Sequence, residues 1–73
     1  MPKQRAINEY KLIRVIYRNN RDGSRHYMDT PIEGKNDKER NECLDRHSKR
    51  FSELMKQEYV DYLMTVWILK GEE

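Results

Sequence analysis

From Asn36 to Lys70 the chain runs without a single glycine or proline. Such a stretch can be one uninterrupted helix. Plotted at 100° per residue, Leu44, His47, Phe51, Leu54, Met55, Tyr59, Tyr62, Val66 and Leu69 gather on one side, with Glu58 the only charge inside the stripe. Asn36 followed by Glu39 has the form of an N-cap with its capping-box partner, and Asp37 and Glu39 suit the positive end of the helix dipole. Glu42 with Arg46 and Asp45 with Lys49 are acid-before-base pairs four apart, and Gly71 supplies a C-cap. The helix so predicted, Asp37 to Lys70, would be about 50 Å long.

From Tyr59 onward the pattern strains. Val60, Met64, Trp67 and Ile68 are apolar too, and they lie on the opposite side of that helix. A helix apolar all round must be covered all round, and a chain of 73 residues has little to cover it with. An alternative ends the helix near Tyr59 and makes Tyr62 to Leu69 a third strand, because Thr65, Val66, Trp67 and Ile68 favour β structure. No turn residue lies between Gln57 and Lys70 to permit a reversal, and the stripe keeps its phase to Leu69. Both points favour the long helix.

The first half reads differently. Residues 1–8 show neither a period nor an apolar face, and are expected to be a mobile basic tail ahead of a single domain over residues 9–73. Glu9 to Arg18 is dense in β-branched and aromatic residues. Asp22-Gly23 is a hairpin signal, and Arg25 to Ile32 is the returning strand, stopped by Pro31 and Gly34. A two-residue loop sets Tyr17 opposite Met28, Val15 opposite Thr30 and Ile13 opposite Ile32, all on one face. The other face receives Arg14, Ile16, Arg18, Arg25, Tyr27 and Asp29, with Arg18 across from Tyr27. A loop of four or more residues would shift the register. The fold expected is α+β: an N-terminal hairpin packed on one long C-terminal helix, in the order ββα.

Composition bounds the function. The net charge of +2 is too small to announce nucleic acid, but residues 1–30 carry seven Lys/Arg against three Asp/Glu, so the basic charge sits in the first half. No apolar run approaches the roughly 20 residues that span a bilayer, and no membrane partner is expected. The opening Met-Pro-Lys-Gln-Arg lacks the apolar segment of a signal peptide, and Cys43 is the one cysteine. A cytoplasmic setting is expected.

Chemistry finds little support. Cys43 and His47 share a helix turn, but with His26 they supply three zinc ligands of the four a structural site needs. Asp45, His47 and Ser48 point in different directions from a helix and cannot form a relay. There is no Gly-rich phosphate loop and no paired carboxylate set in an apolar pocket. Neither catalysis nor a metal or other cofactor is expected.

Binding is the better reading. Arg14, Arg18, Arg25 and Tyr27 form a charged, aromatic hairpin face suited to a larger protein or nucleoprotein target. Arginines that pair with phosphates and a tyrosine that stacks on bases give the rival reading, a small nucleic-acid-binding regulator. Val60, Met64, Trp67 and Ile68 have the composition of an interface. They lead to the expectation of a twofold homodimer built from a crossed pair of C-terminal helix halves; Glu58, Asp61 and Thr65 at seam positions speak against a coiled coil. The function expected is a non-enzymatic inhibitor or adaptor of a larger host macromolecule. Phage and mobile elements carry small charged chains of this type.

Overall fold

The computed structural model describes residues 6–71. Four main elements follow one another: β1 (Tyr10–Asn19), β2 (Arg25–Pro31), α1 (Asp37–Met55) and β3 (Val60–Leu69). The strands form one antiparallel sheet in the order β2-β1-β3. β2 and β3 therefore run parallel on either side of β1, and α1 carries the chain from one edge across to the other. Parallel strands need such a crossover. The class is α+β as expected from the sequence pattern, but the order is β-β-α-β and the long helix is a helix and a strand.

The helix starts where the sequence places it. The Asn36 side chain accepts from the Glu39 N–H at 2.9 Å, and the Glu39 carboxylate reaches back to the Lys35 N–H at 3.2 Å. Gly34, just ahead, has φ +150°, and a Cβ there would lie 2.5 Å from the Glu39 Cβ. Among the described residues the ion pairs along α1 are Asp37–Arg40 and Glu53–Lys56, three apart, in place of the two predicted four apart.

The helix then stops at Met55 with no glycine to stop it. Lys56 stays right-handed helical (φ −75°), and its N–H and that of Gln57 fold back onto Glu53 and Leu54 carbonyls. The Val60 N–H then reaches the Gln57 carbonyl at 3.2 Å. No non-glycine residue among those described has positive φ. This reversal is held from outside: the Asn20 side chain donates to the Glu58 carbonyl at 2.9 Å, and the Asn20 N–H donates to the Tyr59 carbonyl at 2.8 Å. The hairpin loop thus clamps the α1–β3 turn. Gly71, the predicted helix C-cap, follows β3 instead.

Strand geometry also resolves the apolar excess at the C-terminal end. Alternate residues of a strand project to opposite faces, so the residues that crowded two sides of a helix divide between two sides of a sheet. Toward α1 lie Ile13, opposite Thr30 and Trp67; Val15, opposite Met28 and Thr65; and Tyr17, opposite His26 and Tyr62. Ile13, Val15 and Thr30 are at most 1% exposed, and Ile32 and Cys43 are also buried. Full burial of an Ile or Val is worth about 1.5–3 kcal/mol, so β1 is the energetic centre. Phe51 of α1 meets Tyr62 edge-on with ring centroids 5.5 Å apart. Arg50 donates to the Asp29 carbonyl (2.9 Å) and the Thr30 hydroxyl (3.2 Å), tying α1 to β2 and satisfying the buried Thr30.

The hairpin register differs from the predicted one by two residues: Tyr17 faces His26, Val15 faces Met28 and Ile13 faces Thr30. The cause is the longer loop. The Asn19 N–H bonds the Ser24 carbonyl, the Gly23 N–H bonds the Asn19 carbonyl, and Gly23 supplies the positive φ of +77°. Asp22 accepts from the N–H and hydroxyl of Ser24, which holds its carboxyl below the usual range. A shift of two leaves every side chain on its predicted face. Of the predicted tail, residues 1–5 lie outside the described residues, while Ile7–Glu9 form a short 3-10 turn against α1.

Candidate functional site: the open face and the free edge of the sheet

The face turned away from α1 follows from the same ladders. Leu12 lies opposite Pro31 and Ile68, Arg14 opposite Asp29 and Val66, Ile16 opposite Tyr27 and Met64, and Arg18 opposite Arg25 and Asp61. All four residues predicted to meet a target, Arg14, Arg18, Arg25 and Tyr27, stand together on this face. Tyr27 is 65% exposed. An aliphatic stripe of Leu12, Ile16, Met64, Val66 and Ile68 runs beside them.

Two of the three arginines are held by acids. The Arg14 guanidinium binds the Asp29 carboxylate in a two-pronged pair, both bonds 2.9 Å, and lies over the Tyr27 ring at 5.0 Å. Asp29 is held below the usual carboxylate range by its hydrogen bonds from Arg14 and by the charges of Arg14 and Arg50. Arg18 pairs with Asp61 at 3.0 Å. Asp61 also accepts from the Asn20 side chain at 3.1 Å, and that bond with the Arg18 pair keeps its carboxyl low. Arg25 is exposed, and among the described residues it forms no ion pair. The face is therefore of mixed charge.

The four residues predicted to hold a dimer do not form one helical patch. All lie on β3: Val60 and Trp67 project to the α1 side, Met64 and Ile68 to the open side. A crossed helix pair through them is excluded, because they are not helical. What they share is an edge strand. Trp67 packs edge-on to Tyr10 at 5.1 Å yet stays 44% exposed, and Met64 is 50% exposed. β3 pairs with β1 on one side, and among the described residues no strand pairs on the other.

Each of the side chains weighed for chemistry has its own surroundings. The Cys43 thiol is buried, donating to the Glu33 carbonyl at 3.3 Å. His26 bonds the Ser24 hydroxyl through Nε2 and stacks on Tyr17. His47 tilts against Phe51, its Nδ1 buried without a hydrogen-bond partner. Burial and the nearby Arg50 charge push its pKa down. Among the described residues no three His, Cys, Asp or Glu side chains group to hold a metal ion, and no helix is long and apolar enough to cross a membrane.

Asp61 and Asn20 are the site residues that the sequence reading missed. Asp61 was hidden by its placement on a helix; its signal was that Tyr62–Leu69, once read as a strand, needs a partner for the Arg18 row. Asn20 gave no signal beyond its loop position. No family model, curated protein or solved structure matches the chain. The fold and faces define a three-stranded sheet layered on one helix, with the other sheet face open.

Proposed function

We propose that this chain is a non-enzymatic protein-binding module, acting in the cytoplasm by occupying a surface on a larger macromolecule. It would work as an inhibitor or adaptor of the type carried by phage and mobile elements, and as a homodimer. The target-binding surface is the open sheet face, with Tyr27 and Arg25 as its accessible anchors and Arg14 and Arg18 beside them. One observation carries the reading: Arg14 and Arg18 are committed to Asp29 and Asp61. A phosphate backbone recruits free cations, and its affinity grows with each one neutralised. Here two of three arginines arrive neutralised, beside aliphatic and aromatic side chains, which is the mixture found at protein interfaces.

The rival reading, a nucleic-acid-binding regulator on the same face, is tested by titrating labelled duplex DNA and single-stranded RNA at low and moderate salt. The proposal expects binding weaker than about 1 µM throughout. Affinity of about 1 µM or better that falls steeply with salt overturns it. In capture from the native cell after nuclease treatment, Tyr27→Ala with Arg25→Glu should lose the bound target while the fold persists. Retention of the target by that variant removes the open face from the function.

A further inference from the structure

We infer that the free edge of β3 receives a second copy of this chain, strand against antiparallel strand, about a twofold axis normal to the sheet at Val66. The inference rests on the reading above, that the protein works by protein contact, and gives its self-association a geometry.

The first observation is where the chain leaves its apolar surface. Of the five large hydrophobic side chains that are exposed among the described residues, Tyr27, Tyr62, Leu63, Met64 and Trp67, four lie on β3. The second is the lack of guards. From Tyr62 to Leu69 the strand has no charge, no proline and no glycine, whereas natural edges are usually blunted by such residues or by bulges. The register with β1 slips twice, at Leu63 and again where Lys11 interrupts the ladder between the Ile68 and Leu69 rows. Between the two slips Met64 to Ile68 is a regular five-residue run, centred on Val66, with a free row of backbone groups.

The third observation selects the occupant. Antiparallel neighbours project to the same face, and a twofold axis normal to the sheet keeps each face on its own side. About Val66, Met64 meets Ile68 of the second copy on the open side, and Thr65 meets Trp67 of the second copy on the helix side. Each pair joins residues that the single chain already places on one face. The flanking charges agree: Asp61 precedes the run and Lys70 follows it. Antiparallel order brings Lys70 of the second copy to the end of the run where Asp61 stands; Glu72 and Glu73, further on, lie outside the described residues. The product is a six-stranded sheet, with both helices on one side and the two open faces merged on the other.

The test is sedimentation over about 1–200 µM, the range where weak dimers form, on the wild type and three variants. Met64→Lys alone should weaken the dimer. Met64→Lys with Ile68→Lys sets like charges across the axis twice, and should weaken it at least about tenfold. Met64→Lys with Ile68→Glu sets opposite charges there, and should bind about tenfold more tightly than the double lysine variant. A wild type that stays monomeric across the range overturns the inference. So does a Lys/Glu variant no tighter than Lys/Lys, because that assigns the association to a face and not to this edge. Met64 is half exposed, so the single variant keeps the comparison valid if either double variant fails to fold. The nucleic-acid titration reads the functional proposal separately, since a monomer that binds no nucleic acid fails here and passes there.

Discussion

The two edges of this sheet are built on opposite plans. β2 is seven residues long, carries Arg25 and Asp29, and ends on Pro31, which has no N–H to offer. Its Asp29 carbonyl is already taken by Arg50 from the helix. β3 is ten residues long, and its last eight are uncharged. Both edges lean on the same central strand and both face the same solvent. The difference teaches that the edge chemistry is a choice of side chains and not a consequence of the fold. A small domain that guards one edge and bares the other has one direction in which its sheet can grow.

Both edges depend most on the strand they share. Ile13 is 1% exposed and lies opposite Thr30 on one side and Trp67 on the other. Ile13→Ala should cost about 3–4 kcal/mol in chemical denaturation, a large part of what a domain of this size has in hand. A loss under about 1 kcal/mol would mean that β1 is not the centre of the core.

A smaller effect should follow from unguarding β2. Arg50→Ala frees the Asp29 carbonyl and leaves the Thr30 hydroxyl without its donor, at about 1–2 kcal/mol given the exposure of Arg50. The same variant should raise amide exchange in β2 and leave β3 unchanged. Equal acceleration at both edges would deny that the two are separately controlled.

The smallest effect is one of pH, felt by both edges through the helix. Native His47 holds its proton less tightly than the unfolded chain does. As pH falls below about 6.5 the unfolded state takes up the proton first, so stability declines until the native residue protonates as well. His47→Phe should flatten that decline. The contributions of Asp29 and Asp61, whose carboxyl groups are held low, persist at that pH and are lost only in stronger acid. A thermal melt series between about pH 7 and 5 isolates the His47 window; a profile identical in the wild type and His47→Phe would contradict this role.

Much of this was legible in the residues. Asn36 and Glu39 announced the helix start, Asp22-Gly23 the hairpin, and the alternation of Ile13, Val15 and Tyr17 the buried face. The four residues of the candidate target surface were brought together as expected, because a loop two residues longer slips the register without turning a side chain over. What stayed hidden was the break at Lys56–Tyr59. Helices usually announce a reversal with glycine or proline, and this one uses ordinary residues held by Asn20, 38 residues before Glu58 in the chain and visible as a partner only in three dimensions. The helical phase of Tyr59, Tyr62, Val66 and Leu69 was coincidental; β-branched composition was the truer signal. Val60, Met64, Trp67 and Ile68 were expected to form a helix crossing, whereas they lie along an edge strand.

Amide hydrogen exchange of the wild type, followed residue by residue at low and high protein concentration, tests the two-edge account most directly. Protection should rise with concentration along Met64 to Ile68 and stay constant along β2. Exchange in β3 that is indifferent to concentration, or protection that grows equally on both edges, would contradict it.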